Sequence, residues 1–190
     1  RVHPNYKVLR RAPAPPRWTL GLQVTGMNTD QMLADEGVVL GGMGGHLRYR
    51  GYRWGAELAV DVLGADFLDG QITRVSVPIQ ASALLYLVPE GVFNLYLLGG
   101  PRIQPTVITW DYPGLSGDQT FAEFGVHGGL GADLNLGRRF VISADVRFFG
   151  VLRSEARDGA HYAGLEDGQM GVLPSDSTGL QFRLGAGFRF

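Results

Sequence analysis

The hydrophobic and polar positions at the end of the chain alternate without a break. Leu180, Phe182, Leu184, Ala186, Phe188 and Phe190 are apolar, and Gln181, Arg183, Gly185, Gly187 and Arg189 lie between them. A period of two sends successive side chains to opposite faces of a β-strand. One face here is wholly apolar and runs to an aromatic end, the pattern of a strand with lipid on one side and a polar interior on the other. Seven earlier segments repeat it. Residues 17–27 set Trp18, Leu20, Leu22 and Val24 against Thr19, Gly21, Gln23 and Thr25, and 38–50 set Val39, Met43, Leu47 and Tyr49 against Gly44, His46, Arg48 and Arg50. Residues 53–64 set Trp54, Ala56, Leu58, Val60 and Val62 against Glu57 and Asp61, and 73–87 set Val75, Val77, Ile79, Ala81, Ala83 and Leu85 against Ser76, Gln80 and Ser82. In the second half, 92–104 set Phe93, Leu95, Leu97 and Ile103 against Asn94, Tyr96, Arg102 and Gln104. Residues 121–136 set Phe124, Val126, Leu130, Ala132, Leu134 and Leu136 against Glu123, His127, Asp133 and Asn135. Residues 140–149 set Phe140, Ile142, Ala144, Val146 and Phe148 against Ser143, Asp145 and Arg147. Each segment is near or above the roughly 9–11 residues that a tilted strand needs to cross a bilayer.

The connections alternate between short and long. Arg50-Gly51-Tyr52-Arg53, Pro89-Glu90-Gly91 and Gly137-Arg138-Arg139 are tight turns with Gly or Pro where special dihedrals are needed. Longer loops are expected at 28–37, 65–72, 105–120 and 150–178. The pattern predicts an all-β fold: one eight-stranded, antiparallel, up-and-down transmembrane β-barrel over 17–190, preceded by a Pro- and Arg-rich tail over 1–16. A length of 190 residues suits one domain. No run of eighteen apolar residues occurs, so a transmembrane helix is not expected, and cysteine is absent, which excludes disulfides and thiolate metal sites. The chain starts at Arg1 with neither Met nor an apolar segment, and is expected to be a processed or trimmed form that has lost an export signal.

Two features not used to place the strands agree with this register. Outward residues at the short-turn ends form an aromatic girdle of Trp18, Tyr49, Trp54, Phe93, Phe140, Phe188 and Phe190, with Leu87 and Leu136 completing the ring. Charge is polarised beneath a net value of −1. Of 18 acids, the long loops hold twelve: Asp30, Asp35, Glu36, Asp66, Asp69, Asp111, Asp118, Glu155, Asp158, Glu166, Asp167 and Asp176. The tail and short turns hold nine of 17 bases, namely Arg1, Lys7, Arg10, Arg11, Arg17, Arg50, Arg53, Arg138 and Arg139, against the single acid Glu90.

An eight-stranded barrel is just wide enough for its own side chains to fill it. By parity its lumen receives the acids Glu57, Asp61, Glu123, Asp133 and Asp145 and the bases Arg48, Arg102, Arg147 and Arg183, with His46 and His127 beside them. Unpaired buried charges cost several kcal/mol each, so these nine residues are expected to form a chain of Arg–carboxylate bridges along the axis.

The eight alternating strands, the stretches Val75-Ser-Val-Pro-Ile79 and Leu84-Leu-Tyr-Leu87 before a tight turn, and the closing Gly-Phe-Arg-Phe190 resemble the small outer-membrane barrels of the OmpA, OmpX and OmpW type. The resemblance covers about 17–190 and is one of architecture. It implies a bacterial outer membrane with both chain ends periplasmic, contact with outer-membrane lipid and lipopolysaccharide, and insertion by the barrel-assembly machinery, which reads a terminal aromatic strand. Pro78 and Pro101 fall within adjacent strands, where a missing N–H usually marks a bulge. Gly99 and Pro101 then face lipid, and are read either as a tolerated bulge or as a lateral opening for an apolar ligand of the kind the OmpW resemblance implies.

Catalytic and metal signatures are weak. His46 and His127 point inward, His3 lies in the tail, and His161 shares the last loop with Ser154, Ser175 and Ser177 at no His-x-Ser spacing, so no enzyme is expected. The loop acids Asp30, Asp35, Glu36, Asp158, Glu166 and Asp167 show no EF-hand spacing; they are solvated loop charges, or share divalent cations with lipopolysaccharide phosphates. No cofactor, metal site or nucleic-acid partner is assigned. Gly41-Gly-Met-Gly-Gly45 lacks a following Lys-Ser/Thr and reads as close strand packing. Lys7, Arg10, Arg11 and Arg17 form a cationic, polyproline-like leader, either a plain spacer or a strap for a periplasmic or outer-membrane partner, anionic lipid or cell-wall groups. The leading functional expectation is a structural, anchoring or protein-interaction role, as an accessory subunit of an envelope complex. The alternative is an OmpW-like passive channel for small or apolar solutes.

Overall fold

A computed structural model describes residues 17–29, 38–67, 70–112, 115–153 and 176–190. They form β1 (Arg17–Thr29), β2 (Val38–Arg50), β3 (Trp54–Phe67), β4 (Ile72–Ser76), β5 (Ile79–Tyr86), β6 (Phe93–Tyr112), β7 (Leu115–Leu136), β8 (Phe140–Arg153) and β9 (Asp176–Arg189). All neighbouring pairs are antiparallel. β4 and β5 are two parts of one crossing, because both pair with β3 on one side and β6 on the other. Eight crossings result, and the ring closes where β1 pairs with β9, from Thr19↔Arg189 to Thr29↔Gly179. Trp18 and Phe190 finish the seam with reciprocal backbone bonds of 3.1 and 2.9 Å.

The outer wall carries the alternating apolar set. Leu22 is 76% exposed, Met43 70% and Phe148 66%, and every crossing contributes similar residues. A water-soluble monomer rarely exposes apolar patches beyond a few hundred Å², so this surface requires hydrocarbon around it. At the short-turn end, hereafter the turn end, Trp18, Tyr49 and Trp54 stack across β1, β2 and β3 with ring centroids 5.1 and 5.3 Å apart. Phe140 meets Phe188 edge-on at 5.5 Å, and Phe93 and Phe190 are exposed at the same end. Gly91 (φ 110°) and Gly137 (φ 73°) occupy left-handed positions in the turns before β6 and β8, which explains their identity there.

Two expectations are corrected. Residues 105–112 and 115–120 are not loop but the upper part of β6 and β7, paired from Pro105↔Ala122 to Tyr112↔Leu115. The outward positions there, Thr109, Asp111, Ser116, Asp118 and Thr120, are polar, while Ile108, Trp110 and Phe121 turn inward. Above the bilayer water replaces lipid outside, so the polarity of the alternation inverts. The connections at 65–72 and 150–178 are likewise shortened by the longer β3, β4, β8 and β9.

Pro78 and Pro101 mark ladder gaps without a bulge. From Ser76↔Thr106 to Ile79↔Ile103 both strands advance by three residues, as do both strands from Leu63↔Ser76 to Val60↔Ile79. Between Gln80↔Arg102 and Ala83↔Gly99 the advance is again equal. The imino nitrogen therefore removes donors without inserting a residue. Pro78 still accepts from the Asp61 N–H at 3.1 Å, and Val77 donates to Pro105 at 2.8 Å.

Candidate functional site

The interior of the barrel is the part of the molecule where functional chemistry concentrates, and its contents change with depth. Lumen-facing positions on β2, β3, β7, β8 and β9 bring most of the charged set together in the turn half. Glu57 on β3 is the hub. Its Oε2 accepts from Arg48 at 2.5 Å, and its Oε1 accepts from Arg147 at 2.7 Å and Arg183 at 3.0 Å. Arg48 reaches on to Asp133 at 2.7 Å, and Arg147 is clamped by Asp145 at 2.6 Å. A chain of ion pairs thus crosses the lumen from β7 through β2 and β3 to β8 and β9. Its members are all buried, Arg147 completely. Such a cluster is tolerable in a low-dielectric interior because each charge meets its opposite with good geometry.

Aromatic rings wall this network below. Tyr86 and Tyr96 meet at 5.6 Å, with the Arg50 guanidinium 4.1 Å over Tyr86 and that of Arg48 4.9 Å over Tyr96. They belong to an apolar cluster with Leu84 and Leu98. At the mouth beyond, Arg50 donates to Asn94 at 2.7 Å, Asn135 donates to the same Asn94 oxygen at 2.7 Å, and Arg189 donates to Asn135 at 2.9 Å. In the adjacent turns the Tyr52 hydroxyl donates to Glu90 at 2.9 Å, and this bond to the carboxylate raises the phenol's pKa.

The loop half is built differently. Asp61 and Arg102 lie buried there, but neither forms an ion pair among the described residues, which corrects the continuous Arg–carboxylate chain expected from parity. Asp61 accepts from Gln23 at 2.7 Å, Thr25 at 2.9 Å and Gln181 at 3.3 Å. Arg102 donates to Gln104 and, at 2.8 Å, to Gln181. Gln181 therefore connects the two as a neutral relay, accepting from the cation and donating to the anion. Arg102 also lies 4.0 Å over the Phe149 ring and donates to the Met27 sulfur at 2.9 Å. Above it Met27, Leu40, Leu63, Phe149 and Val151 pack into an apolar layer inside the barrel. Glu123, the remaining acid, accepts from Gln104 at 2.9 Å and sits 3.8 Å from Arg74.

Parity thus located Arg48, Glu57, Asp61, Arg102, Glu123, Asp133, Asp145, Arg147 and Arg183 inside, and the contacts divide them into ion-paired and amide-relayed groups. Sequence reading placed Tyr96 inside but missed the other inward apolar residues and Arg74. For Leu40, Leu63, Leu84, Leu98 and Phe149 the signal is an apolar doublet that interrupts strict alternation: Val39-Leu40, Val62-Leu63, Leu84-Leu85, Leu97-Leu98 and Phe148-Phe149 each place one member on either face. Also unanticipated is a contact of 2.8 Å between Ser82 Oγ and His127 Nε2, both buried. The His127 Nδ1 has no hydrogen-bond partner among the described residues, so no carboxylate there orients the ring as in a hydrolytic triad. Among the described residues no three His, Asp or Glu side chains converge to hold a metal ion. The tail with Lys7, Arg10 and Arg11, His161, and the acids Asp30, Asp35, Glu36, Asp158, Glu166 and Asp167 lie outside the described residues.

No protein-family model matches the sequence, and no curated protein sequence matches it. Solved structures do match in fold. Ail, the attachment invasion locus protein of Yersinia pestis, is 17% identical with a TM-score of 0.56, covering 92% of this chain and 98% of Ail. Neisserial surface protein A is 14% identical with a TM-score of 0.54, covering 90% of this chain and 95% of its own. A major outer membrane protein from Thermus thermophilus is 14% identical with a TM-score of 0.57, covering 91% and 99%. The chain has the fold of the small eight-stranded outer-membrane β-barrels.

Proposed function

We propose that this chain is an integral protein of a bacterial outer membrane whose filled barrel acts as an anchor and contact scaffold. The observation that carries this reading is Glu57, held at the centre of the lumen by Arg48, Arg147 and Arg183 from three other strands. A side-chain bridge from wall to wall leaves the lumen as packed core instead of a water path. The wall is also tight at the ladder gap of β5 and β6, where the sequence left room for a lateral opening. There Gly100 approaches so closely that a Cβ would lie 2.0 Å from the Ala81 carbonyl oxygen. The buried Ser82–His127 pair has neither an orienting acid among the described residues nor solvent exposure, which supports a role without catalysis.

In this reading the short turns and both ends of 17–190 are periplasmic and the longer connections extracellular, as is usual for such barrels. Residues 1–16 then form a periplasmic tail whose Lys7, Arg10 and Arg11, continued by Arg17, offer a strap for an envelope partner. Lipid and lipopolysaccharide contact the girdled wall. Planar-bilayer recording tests the proposal: the reconstituted chain is expected to give no steady current. A reproducible open level at neutral pH overturns the filled-barrel reading in favour of a channel.

A further inference from the structure

Guanidinium groups accumulate at the turn end of the barrel beyond what its carboxylates neutralise. Arg17 and Arg50 are direct cross-strand partners, and Arg189 lies opposite the lumen-facing Thr19 two residues further along β1. All three follow the inward parity of their strands at the mouth. Arg53, Arg138 and Arg139 stand exposed in the turns around it, and Arg17 reaches the Arg138 carbonyl at 3.5 Å. The described side-chain carboxylates at this end are already engaged. Glu90 accepts from Tyr52, and Asp133 is bound by Arg48 at 2.7 Å, with Arg50 no nearer than 4.0 Å.

Neutral amides hold these cations beside one another. The relay Arg50–Asn94–Asn135–Arg189 satisfies one donor of each guanidinium, Arg50 gives a second to the Pro89 carbonyl at 2.7 Å, and none of these contacts cancels charge. Arg189 is 8% exposed, and its Nε proton has no acceptor among the described residues. Like charges gathered in a half-buried mouth repel, and a partly desolvated N–H without a partner costs free energy. An anion with several oxygens relieves both. Guanidinium forks offer paired donors matched to carboxylate and phosphate oxygens, which a bare ammonium would not.

We propose that this mouth binds a phosphate-type oxyanion, with Arg50 and Arg189 as the principal donors and Arg17 as a third. The same chemistry is supplied by a soluble phosphate and by a lipid headgroup folded over the rim. The proposal holds whichever side of the membrane the turns face, so its failure leaves the filled-barrel reading untouched.

Calorimetric titration of the full chain, folded in zwitterionic detergent at low ionic strength, with pyrophosphate provides the test. The parent protein is expected to bind saturably. Arg189→Gln and Arg50→Gln should each weaken binding at least about tenfold, the scale of one charge-assisted hydrogen bond. Asn135→Asp keeps the side chain's size but sets an internal carboxylate directly against Arg189, one amide away from Arg50, and should abolish binding. It carries the test if an arginine variant fails to fold. Arg53→Gln, which removes the same unit charge from an exposed turn, should change affinity less than about threefold, since solvent screens it. Absence of saturable binding overturns the proposal, as does an equal loss in Arg53→Gln and Arg189→Gln, which shows diffuse charge attraction only. Repeating the titration in nanodiscs distinguishes the sources. Pyrophosphate excluded by phosphatidylglycerol but not by phosphatidylcholine identifies the headgroup as occupant, and equal binding in both identifies a soluble ligand.

Discussion

In the turn half of the barrel, Glu57 gathers Arg48, Arg147 and Arg183 into one ion-paired cluster. In the loop half, Met27, Leu40, Leu63, Phe149 and Val151 pack as an apolar layer, and the guanidinium beneath them, Arg102, is held by glutamine amides and an aromatic ring. Both halves face the same lumen and share one alternating register. The difference shows that inward parity fixes burial without fixing polarity. Filling a narrow tube requires only that each buried polar group find a partner. Mutual neutralisation achieves this in one half, and dilution of charge by apolar and amide side chains achieves it in the other.

If that division is real, the two halves differ in what a single deletion costs. Glu57→Gln should have the largest effect, because it removes the carboxylate from three guanidiniums at once. Arg48 keeps Asp133 and Arg147 keeps Asp145, but Arg183 is left with the Gln23 amide. A loss of about 3–5 kcal/mol is expected, the usual result of breaking a buried pair. Urea unfolding in detergent, followed by the heat-modifiable shift on gels, measures it; a loss below about 1 kcal/mol removes Glu57 from its central place. The next effect compares two arginines of similar burial. Arg147→Met strands Asp145 and leaves Glu57 Oε1 with Arg183 alone, and should also cost about 3–5 kcal/mol. Arg102→Met strands only amide oxygens and places an apolar chain beside Met27 and Phe149, so about 1–3 kcal/mol is expected. Equal losses in the same assay refute the division.

The same contrast explains what the sequence disclosed. Strands beside hydrocarbon are legible because lipid demands an apolar residue at every outward position, as Leu20, Leu22 and Val24 show. That demand ends at the bilayer surface. Thr109, Asp111, Asp118 and Thr120 are outward but wet, while Ile108, Trp110 and Phe121 are inward, so a search for outward apolar residues takes the top of the β6–β7 hairpin for loop. The charged members of the interior were equally legible by parity, since Arg48, Glu57, Asp133, Asp145, Arg147 and Arg183 all sit opposite lipid-facing neighbours. Their partners were not. Which Arg meets which acid depends on the stagger of strands around the ring, and sequence spacing does not encode that stagger. Asp61 and Arg102, both expected in the Arg–carboxylate chain, are instead joined through Gln181.

The smallest effect tests whether the apolar layer needs a particular atom or only volume. Met27 is completely buried, packs with the other four members of the layer, and accepts an N–H of Arg102 at its sulfur, 2.9 Å away. A thioether is a weak acceptor, and Arg102 retains Gln104 and Gln181 without it. Met27→Leu nearly conserves volume, so a change below about 1.5 kcal/mol is expected. A larger loss, seen again when Arg102→Met is the background, points to misfit of the branched side chain. A larger loss that vanishes in that background assigns it to the sulfur contact, and makes Met27 a partner of the buried cation as well as a filler of the layer.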